Sequence, residues 1–413
     1  MEQSLQDIQE AGLQQNPSMV GGINTNEESS VHQYFKFYSK LQNQQNMLMD
    51  EIRTTQYRNA ILNNRIDFQD KIVLDVGAGS GILSLFAAQA GARKVYAIEA
   101  SNMAESARRL IDANGYSQII EVIQSKIEDI PDDRIGKIVD TIVSEPLGTF
   151  LLNERMLETY VIAREKFLKP NGKMFPATSH LCIMPFYDEA VHLEQQNKCT
   201  FWDNKNFYGL DLSCLKEKAL QEKLSQPLID TYDPRKNLCE NPDRMIFDFE
   251  TCSLQDLQEI DFFFKHRMDK TGLIHGYALY FDAIFKGSEQ YVTLQTGPFS
   301  PPTHWYQTRL LLKEPLGVNK GQLVQGYLKM RANKEQTFDV SIDVQIPILN
   351  INSVNTFDMK DPEYRGVYQN YYDQYNTTNQ QQNQQQYYPQ GNQQMQNQSS
   401  SQWQQQYDGF PQI

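Results

Sequence analysis

Residues 72–86 read IVLDVGAGSGILSLF, a continuous apolar run that stops at three glycines and then resumes with a different spacing. The first five residues fit a buried strand, whereas Ile82, Leu85 and Phe86 recur at the i, i+3, i+4 interval of a helix. The glycines let the backbone turn tightly and approach a ligand, and the helix start leaves N–H groups unpaired. The longer stretch Ile72–Ala92 has about the twenty residues that a membrane-spanning helix requires, but Asp75 and the glycines favour strand, turn and helix instead.

Strand-like and helix-like segments then alternate as far as residue 176, which predicts a parallel, doubly wound sheet. Its strands are predicted at Ile72–Val76, Lys94–Ile98, Ile119–Ile123 and Ile138–Val143. After a turn at Lys169–Gly172 the apolar runs become shorter, which predicts an antiparallel, β-rich second domain. The strands predicted there are His180–Pro185, Met245–Asp248, Ala278–Phe285, Tyr291–Leu294 and Val340–Val344.

The chain is predicted to divide into six segments: a flexible polar leader (1–30), N-terminal helices (31–68), the sheet domain (69–176), the β-rich domain (177–350), a linker (351–366) and a disordered tail (367–413). In the tail 24 of 47 residues are Gln or Asn, so it cannot bury enough apolar surface to fold. Within the β-rich domain a polar, helical arm is predicted at about 190–223, with Phe201, Trp202, Phe207 and Tyr208. These aromatics either dock on a second subunit or pack on their own domain.

Composition excludes several classes of protein. With 40% hydrophobic and 22% charged residues, the bulk of the chain is expected to fold. The net charge of −13 argues against direct nucleic-acid binding by the core and favours cationic partners. The five cysteines have no C-x-x-C spacing, and the N-terminus has no secretory signal, so free thiols and a protein that is not secreted are expected.

The glycine turn and Glu99, which closes the next strand, are the strongest chemical signal. A nicotinamide dinucleotide would require G-x-G-x-x-G, whereas this chain has D-x-G-x-G-x-G, beginning at Asp75. An acidic residue in the position of Glu99 is able to accept both hydroxyls of a ribose. The pattern resembles the S-adenosylmethionine site of Rossmann-like methyltransferases; the alternative is a purely structural turn.

A second signal follows the fourth predicted strand, where residues 144–157 read SEPLGTFLLNERML. Glu145 and Glu154 bracket a loop, called the double-E loop below, at the sheet edge where ligands of open α/β folds bind. The loop could be salt-bridged. Two acids that face one cavity would instead repel each other unless a cation lies between them, and a guanidinium is a natural guest.

Together with Tyr34-Phe35-Lys36-Phe37-Tyr38 and Thr303-His304-Trp305, these motifs resemble the protein arginine methyltransferases, and in particular the coactivator-associated branch, over roughly residues 31–350. The resemblance implies a Rossmann-like cofactor domain, an antiparallel β-barrel-like substrate domain and a helical dimerisation arm. It further implies a type I enzyme that converts S-adenosylmethionine to S-adenosylhomocysteine without a metal and produces mono- and asymmetric dimethylarginine. Histone H3 tails are the expected substrates, a homodimer the expected assembly, and nucleus or cytoplasm the expected location.

The same resemblance implies roles for individual residues. Glu145 and Glu154 would be the catalytic acids that hold the arginine. The residues that would bind the cofactor are Tyr34, Gln44, Arg53, Asp75, Gly77, Gly79, Glu99, Lys126, Glu128 and Thr159. The residues that would form the arginine channel or support it are Tyr38, Met47, Asp50, Met156, His304 and Trp305, with His304 paired to Asp50.

Thr149 departs from the family pattern, which usually has an aromatic at this position of the double-E loop. Two other functions remain open on the sequence. The substrate could be a small guanidino metabolite, because two acids do not distinguish a peptide from a small molecule. Alternatively, the chain could be a scaffold whose Gln-, Asn- and Tyr-rich tail drives self-association.

Overall fold

The computed structural model describes residues 34–365, and the predicted leader and tail lie outside this range. Residues 34–38 are helical and are followed by helices α1 (Leu41–Met49) and α2 (Glu51–Leu62). Asp50 separates the two helices, and its carboxylate accepts a hydrogen bond from the Arg53 backbone N–H and so caps α2. No helix within 34–365 is both long and apolar enough to cross a membrane.

The predicted parallel sheet is confirmed, with five strands in the order β3-β2-β1-β4-β5. The strands are β1 (Ile72–Val76), β2 (Lys94–Ile98), β3 (Ile120–Ile123), β4 (Val139–Ser144) and β5 (Leu168–Phe175). The connecting helices are α3 (Ile82–Gln89), α4 (Met103–Ala113), α5 (Asp132–Ile135) and α6 (Met156–Phe167). Since the first two strands are continuous apolar runs in the middle of the sheet, their predicted limits agree with the structure to the residue.

The turn predicted at Lys169–Gly172 lies inside β5 and does not end the strand. The pairing of β4 with β5 jumps from Val139–Leu168 to Thr141–Lys173, so the intervening residues bulge out of the strand. Asn171 has a φ of 62°, the left-handed backbone that turn sequences favour. The turn prediction therefore identified a bulge within the last parallel strand.

The second domain consists of antiparallel strands, as predicted, but they form two sheets and their pairing does not close into the expected barrel within residues 34–365. One sheet has the order β16-β7-β12-β10-β6-β8, with β11 on β10, and the other β15-β14-β13-β9. The strands are β6 (Thr178–Phe186), β7 (Leu228–Asp230), β8 (Asp243–Asp248), β9 (Glu259–Arg267), β10 (Gly272–Lys286), β11 (Tyr291–Gln295), β12 (Gln307–Val318), β13 (Leu323–Ala332), β14 (Phe338–Ile346), β15 (Ile351–Asp358) and β16 (Glu363–Tyr364).

The linker predicted at 351–366 is wrong. Strand β15 pairs along its whole length with β14, and β16 pairs in parallel with β7. Both are edge elements, and β15 buries only part of one face, so its residues lack the apolar alternation by which a strand is recognised. The β-rich domain therefore continues to residue 364.

The predicted arm is helical and consists of α7 (Glu189–Lys198), two short 3-10 turns (Thr200–Asp203 and Ser213–Leu215) and α8 (Lys216–Ser225). Its aromatics stack on one another, with ring centroids of Phe201 and Phe207 5.6 Å apart. Phe201 and Tyr208 remain exposed. The remaining short helix, α9 (Leu254–Gln258), precedes β9.

One hydrophobic core joins the parallel sheet to the antiparallel sheets. Rings from three regions meet there: Tyr57 from α2 packs edge-on against Phe285 of β10, and Phe175 of β5 packs against Phe68 and Phe285. Such buried aromatic contacts fix the orientation of the two domains. The N-terminal helices are thereby held over the carboxyl edge of the parallel sheet.

Candidate active site

A cavity of about 490 Å³ lies at the carboxyl ends of β1, β2 and β4, beneath the N-terminal helices. Every residue predicted for the site lines this cavity except Asp50 and Asp75. The structure also adds residues that the sequence did not identify, among them Ile229, Gln336 and Tyr364. No local signal marks these three, since they come from the distant β-rich domain.

The glycine turn after β1 forms the floor of the cavity, and a side chain on either of two of its glycines would have to displace a neighbouring side chain. Gly77 and Gly79 have φ values of 69° and 53°, a region that favours glycine. A Cβ atom on Gly77 would lie 2.1 Å from Cε of Met156, and one on Gly79 would lie 2.8 Å from Oε1 of Gln44. The absence of side chains on these two glycines therefore leaves room for Met156 and Gln44, which cover the turn.

Glu99 and Gln44 hold the turn from two sides. The Glu99 carboxylate accepts hydrogen bonds from the backbone N–H groups of Gly79 and Ser101, both at 2.8 Å. The Gln44 side chain accepts from the Ser80 N–H at 3.1 Å and donates to the Tyr38 carbonyl at 3.2 Å. Gln44 thus connects the first helical segment to the glycine turn.

Asp75 does not contact the cavity, which corrects the prediction that it touches a cofactor directly. Its side chain is fully buried beneath the turn and accepts a hydrogen bond from the Ser84 hydroxyl at 2.7 Å. Burial raises the pKa of Asp75 to about 7, and the Ser84 hydrogen bond opposes that rise. Asp75 supports the turn by linking the end of β1 to α3.

The two acids of the double-E loop face the cavity and have different partners. Glu145 binds the Arg53 guanidinium at 3.1 Å, a contact that the sequence did not predict. Glu154 accepts a hydrogen bond from the Tyr38 hydroxyl at 2.7 Å. Burial raises the pKa of Glu154 to about 7; the Tyr38 hydrogen bond opposes this shift and the charge of Glu145 adds to it.

The backbone of the double-E loop is strained, because Phe150, Leu151, Glu154 and Arg155 all adopt the left-handed conformation. Arg155 holds the end of the loop through two hydrogen bonds to Glu158, at 2.6 and 2.9 Å, and a third to the Asn333 carbonyl in the β13–β14 hairpin. Sequence reasoning missed Arg155 and Glu158. Their i, i+3 spacing at a helix start was the available signal.

Asp50 and His304 form the expected pair on the opposite side of the loop. The Asp50 carboxylate lies 2.7 Å from Nδ1 of His304 and accepts its backbone N–H at 2.8 Å. Although burial opposes ionisation of Asp50, these contacts lower its pKa. Trp305 stacks on His304 and donates its Nε1–H to the Leu147 carbonyl at 2.7 Å, which fixes the start of the double-E loop.

The rest of the cavity wall combines charged, polar and apolar side chains. The Thr159 hydroxyl donates to Glu128 at 2.7 Å, and the Lys126 ammonium lies 5.5 Å from the centre of the Phe35 ring. Met156 contacts both the Tyr34 hydroxyl, at 3.9 Å from its sulfur, and the glycine turn. Within residues 34–365 no group of three or more His, Cys, Asp or Glu side chains is arranged to hold a metal ion.

Fold and site together define an α/β chain with a ligand-binding glycine turn and a pair of acids above it. Residues 52–165 match the family described as ribosomal protein L11 methyltransferase (PrmA), and residues 177–347 match the arginine methyltransferase oligomerization subdomain. In the structure of the Trypanosoma brucei PRMT1 enzyme-prozyme heterotetrameric complex with AdoHcy, one chain is 35% identical, with a TM-score of 0.70, and the alignment covers 78% of the present chain and 98% of the other. The chain belongs to the protein arginine methyltransferase family, which confirms the resemblance in its motifs.

Two further relatives agree with this assignment. The structure of Arabidopsis thaliana protein arginine methyltransferase 10 is 31% identical, with a TM-score of 0.71, over 78% of this chain and 99% of that one. Histone-arginine methyltransferase CARMER of Drosophila persimilis is 50% identical over 339 residues, which is 82% of this chain. The chain spans 63% of the length of that relative.

Proposed function

We propose that the chain is an S-adenosylmethionine-dependent enzyme that methylates arginine side chains in proteins. The convergence of Glu145 and Glu154 on one cavity, above a glycine turn, carries this proposal. Arg53 offsets the charge of Glu145, but Glu154 is paired with a neutral hydroxyl and its ionisation is opposed by burial and by the charge of Glu145, so the two buried acids together favour a further cation. The guanidinium of arginine, with its fork of N–H donors, satisfies both carboxylates at once.

The residues around the glycine turn fit the proposed cofactor. Gly77 and Gly79 present bare backbone to the cavity beneath the Met156 and Gln44 side chains, and Glu99 stands at the end of β2, where a ribose would bind. The buried Nε of Arg53 has no hydrogen-bond partner within residues 34–365, so a donor remains for a carboxylate such as that of the methionyl group. When bound, S-adenosylmethionine would supply an electrophilic methyl group, and S-adenosylhomocysteine would be the product; no metal is part of the proposal.

The two acids would activate the bound arginine by holding and polarising it. Arginine is always protonated at physiological pH, so its nitrogens are poor nucleophiles as they stand. Hydrogen bonds to Glu145 and Glu154 would draw positive charge towards the held N–H groups and leave the reacting nitrogen richer in electrons. That nitrogen would accept the methyl group as the bond between the methyl carbon and the cofactor's sulfur breaks, with the electron pair left on sulfur as a neutral thioether, and it would lose one proton to solvent. The hydrogen bond from Tyr38 keeps Glu154 in place meanwhile.

We further propose that the enzyme produces monomethylarginine and asymmetric dimethylarginine. Met47 and Met156 both line the cavity into which Glu145 and Glu154 point. Their flexible thioether side chains would crowd one side of the guanidinium. A second methyl group would then add to the nitrogen that already carries the first.

Histone H3 tails are the proposed substrates, because the similar Drosophila proteins are named histone-arginine methyltransferases and the net charge of −13 favours basic peptides. A homodimer formed through the arm is the proposed assembly. The exposed Phe201 and Tyr208 and the match to an oligomerization subdomain support it. A nuclear or cytoplasmic location would suit these substrates.

The test incubates the full chain with methyl-labelled S-adenosylmethionine and an H3 tail peptide, hydrolyses the product and separates the methylarginines. Glu145→Gln and Glu154→Gln are each expected to lower the rate about 10²- to 10³-fold, the range for losing one charge-stabilising contact. Glu165→Gln, which alters an exposed acid on α6, is the matched control and should leave the rate unchanged. Label in symmetric dimethylarginine would contradict the product assignment, and cofactor binding without transfer to peptide would contradict the substrate.

A further inference from the structure

The C-terminal strap, defined as residues 361–365, lies along the edge of the larger antiparallel sheet. Its strand β16 pairs in parallel with β7: the Glu363 N–H donates to the Pro227 carbonyl at 2.8 Å, and the Arg365 N–H donates to the Ile229 carbonyl at 3.1 Å. Strand β7 is itself held by β12 on its other side. The strap therefore continues a sheet that begins inside the β-rich core.

Consecutive side chains of the strap contact different parts of the protein. Because side chains alternate across a strand, Tyr364 points away from its neighbours Glu363 and Arg365. Tyr364 and the residue paired with it, Ile229, both line the cavity of the candidate site. Glu363 and Arg365 instead reach the arm, so one short strand contacts both the cavity and the arm.

Ion pairs attach the strap to both helices of the arm. The Glu363 carboxylate binds Lys198 of α7 at 2.7 Å and Lys223 of α8 at 2.5 Å. Arg365 binds Glu194 of α7 at 2.5 Å, and Glu194 also binds Lys198 at 3.1 Å. Glu363 thus joins two helices that are otherwise separated along the chain by the aromatic loop of the arm.

These contacts are stronger than ordinary surface pairs. The Glu363 side chain is only 19% exposed, whereas the Lys218–Glu222 pair on α8 is about 70% exposed and 3.6 Å long. Burial opposes ionisation of Glu363, but its bonds to Lys198 and Lys223 outweigh that effect and lower its pKa to about 2. Glu363 therefore stays charged throughout the physiological pH range.

We propose that Glu363 is a positioning residue for peptide binding: by holding both arm helices, it fixes the β7–β16 wall at the mouth of the cavity. The wall would contact the peptide on either side of the target arginine, because Ile229 and Tyr364 lie in the lining contributed by the β-rich domain. The proposal rests on the proposed arginine methylation. It assigns no role to Glu363 in the transfer itself, since its carboxylate faces the arm.

The experiment compares wild type with Glu363→Gln on a 20-residue H3 peptide and on a tripeptide centred on arginine. Loss of the charge-assisted bonds is expected to raise KM for the long peptide about five- to tenfold, with kcat within about twofold. KM for the tripeptide and for S-adenosylmethionine should stay unchanged. Glu222→Gln, which alters an exposed acid on α8 next to Lys223, is the control, and the Glu363→Lys, Lys223→Glu double variant should recover part of the lost affinity.

Hydrogen exchange of the amides in residues 228–230 and 363–365 is measured in parallel, and faster exchange is expected in Glu363→Gln but not in Glu222→Gln. All kinetics use concentrations at which the variants sediment alike. Equal KM values for the long peptide, or a kcat loss on both peptides, would overturn the proposal. If wild type methylates neither peptide, the proposed function fails, and unchanged exchange at the strap would then separately reject the positioning role.

Discussion

Opposing influences act on the Glu154 carboxyl. Burial raises its pKa, the hydrogen bond from Tyr38 lowers it, and the charge of Glu145 raises it further, so that the pKa lies at about 7. The protonated form is favoured in the folded protein below that value. Since only the ionised form would hold the proposed guanidinium through charge, the pKa of this one side chain should set the lower pH limit of the proposed activity.

The first prediction concerns the Tyr38 hydroxyl. In wild type, kcat/KM should rise as the pH increases through about 7, because Glu154 must lose its proton. Tyr38→Phe removes the hydrogen bond that lowers the pKa, so the rising limb should move to higher pH by about one unit, the shift that roughly 1.4 kcal/mol of lost hydrogen bonding produces. The measurement is kcat/KM from pH 6 to 9, with the exposed Tyr291→Phe as control. An unmoved limb would contradict the assignment.

The double-E loop is held in its shape by elements far away in the sequence. Trp305 fixes its start, and Arg155 connects its end to Glu158 and to the β13–β14 hairpin. In addition, the Thr337 hydroxyl of the hairpin donates to Asn153 at 2.6 Å. A loop with several left-handed residues would relax without such contacts, so the hairpin supports the candidate site.

The second prediction tests that support. Arg155→Lys keeps the charge but cannot form the planar pair of bonds to Glu158. We expect kcat to fall about tenfold, which corresponds to roughly 1.4 kcal/mol, while KM for S-adenosylmethionine changes less than twofold. Steady-state rates measure both quantities. Arg109→Lys, in the exposed pair with Glu105, serves as the control, and unchanged kcat in Arg155→Lys would show that the loop keeps its shape without this anchor.

The whole molecule joins two domains through one core and leaves a cluster of apolar side chains exposed on the arm. Phe175 and Phe285 tie the parallel sheet to the antiparallel one, so the cavity has walls from both domains. The arm, in contrast, exposes Phe201, Tyr208 and Leu210. Clustered aromatics of this kind are typical of a protein interface.

The third prediction concerns assembly. Tyr208→Glu places a charge on the most exposed aromatic of the arm, and a buried charge without a partner is costly. We expect wild type to sediment as a dimer at micromolar concentration and Tyr208→Glu to sediment as a monomer. Tyr291→Glu, an exposed tyrosine on β11, is the control and should leave the dimer intact. A wild-type protein that sediments as a monomer would contradict the proposed dimer and the role of the arm in it.

Local patterns were sufficient for much of this protein. Strands β1 and β2 follow from continuous apolar runs. The glycine turn follows from three closely spaced glycines, which are typical of a tight turn. Glu145 and Glu99 could be placed because the carboxyl ends of parallel strands meet at one edge. In each case neighbouring residues carry the signal, either as periodicity or as the conformational freedom of glycine.

Other features arose only from contacts between distant residues. The sequence of β15 looks polar because the strand buries only part of one face, and β16 is only two residues long. Where the resemblance implied a barrel, the strands form two sheets. The Arg155–Asn333 and Glu363–Lys223 contacts join residues more than a hundred positions apart, so no local period encodes them. Asp75 is a further example. Its position in the glycine motif could be predicted from the sequence, but the direction of its carboxylate depends on how α3 packs over β1.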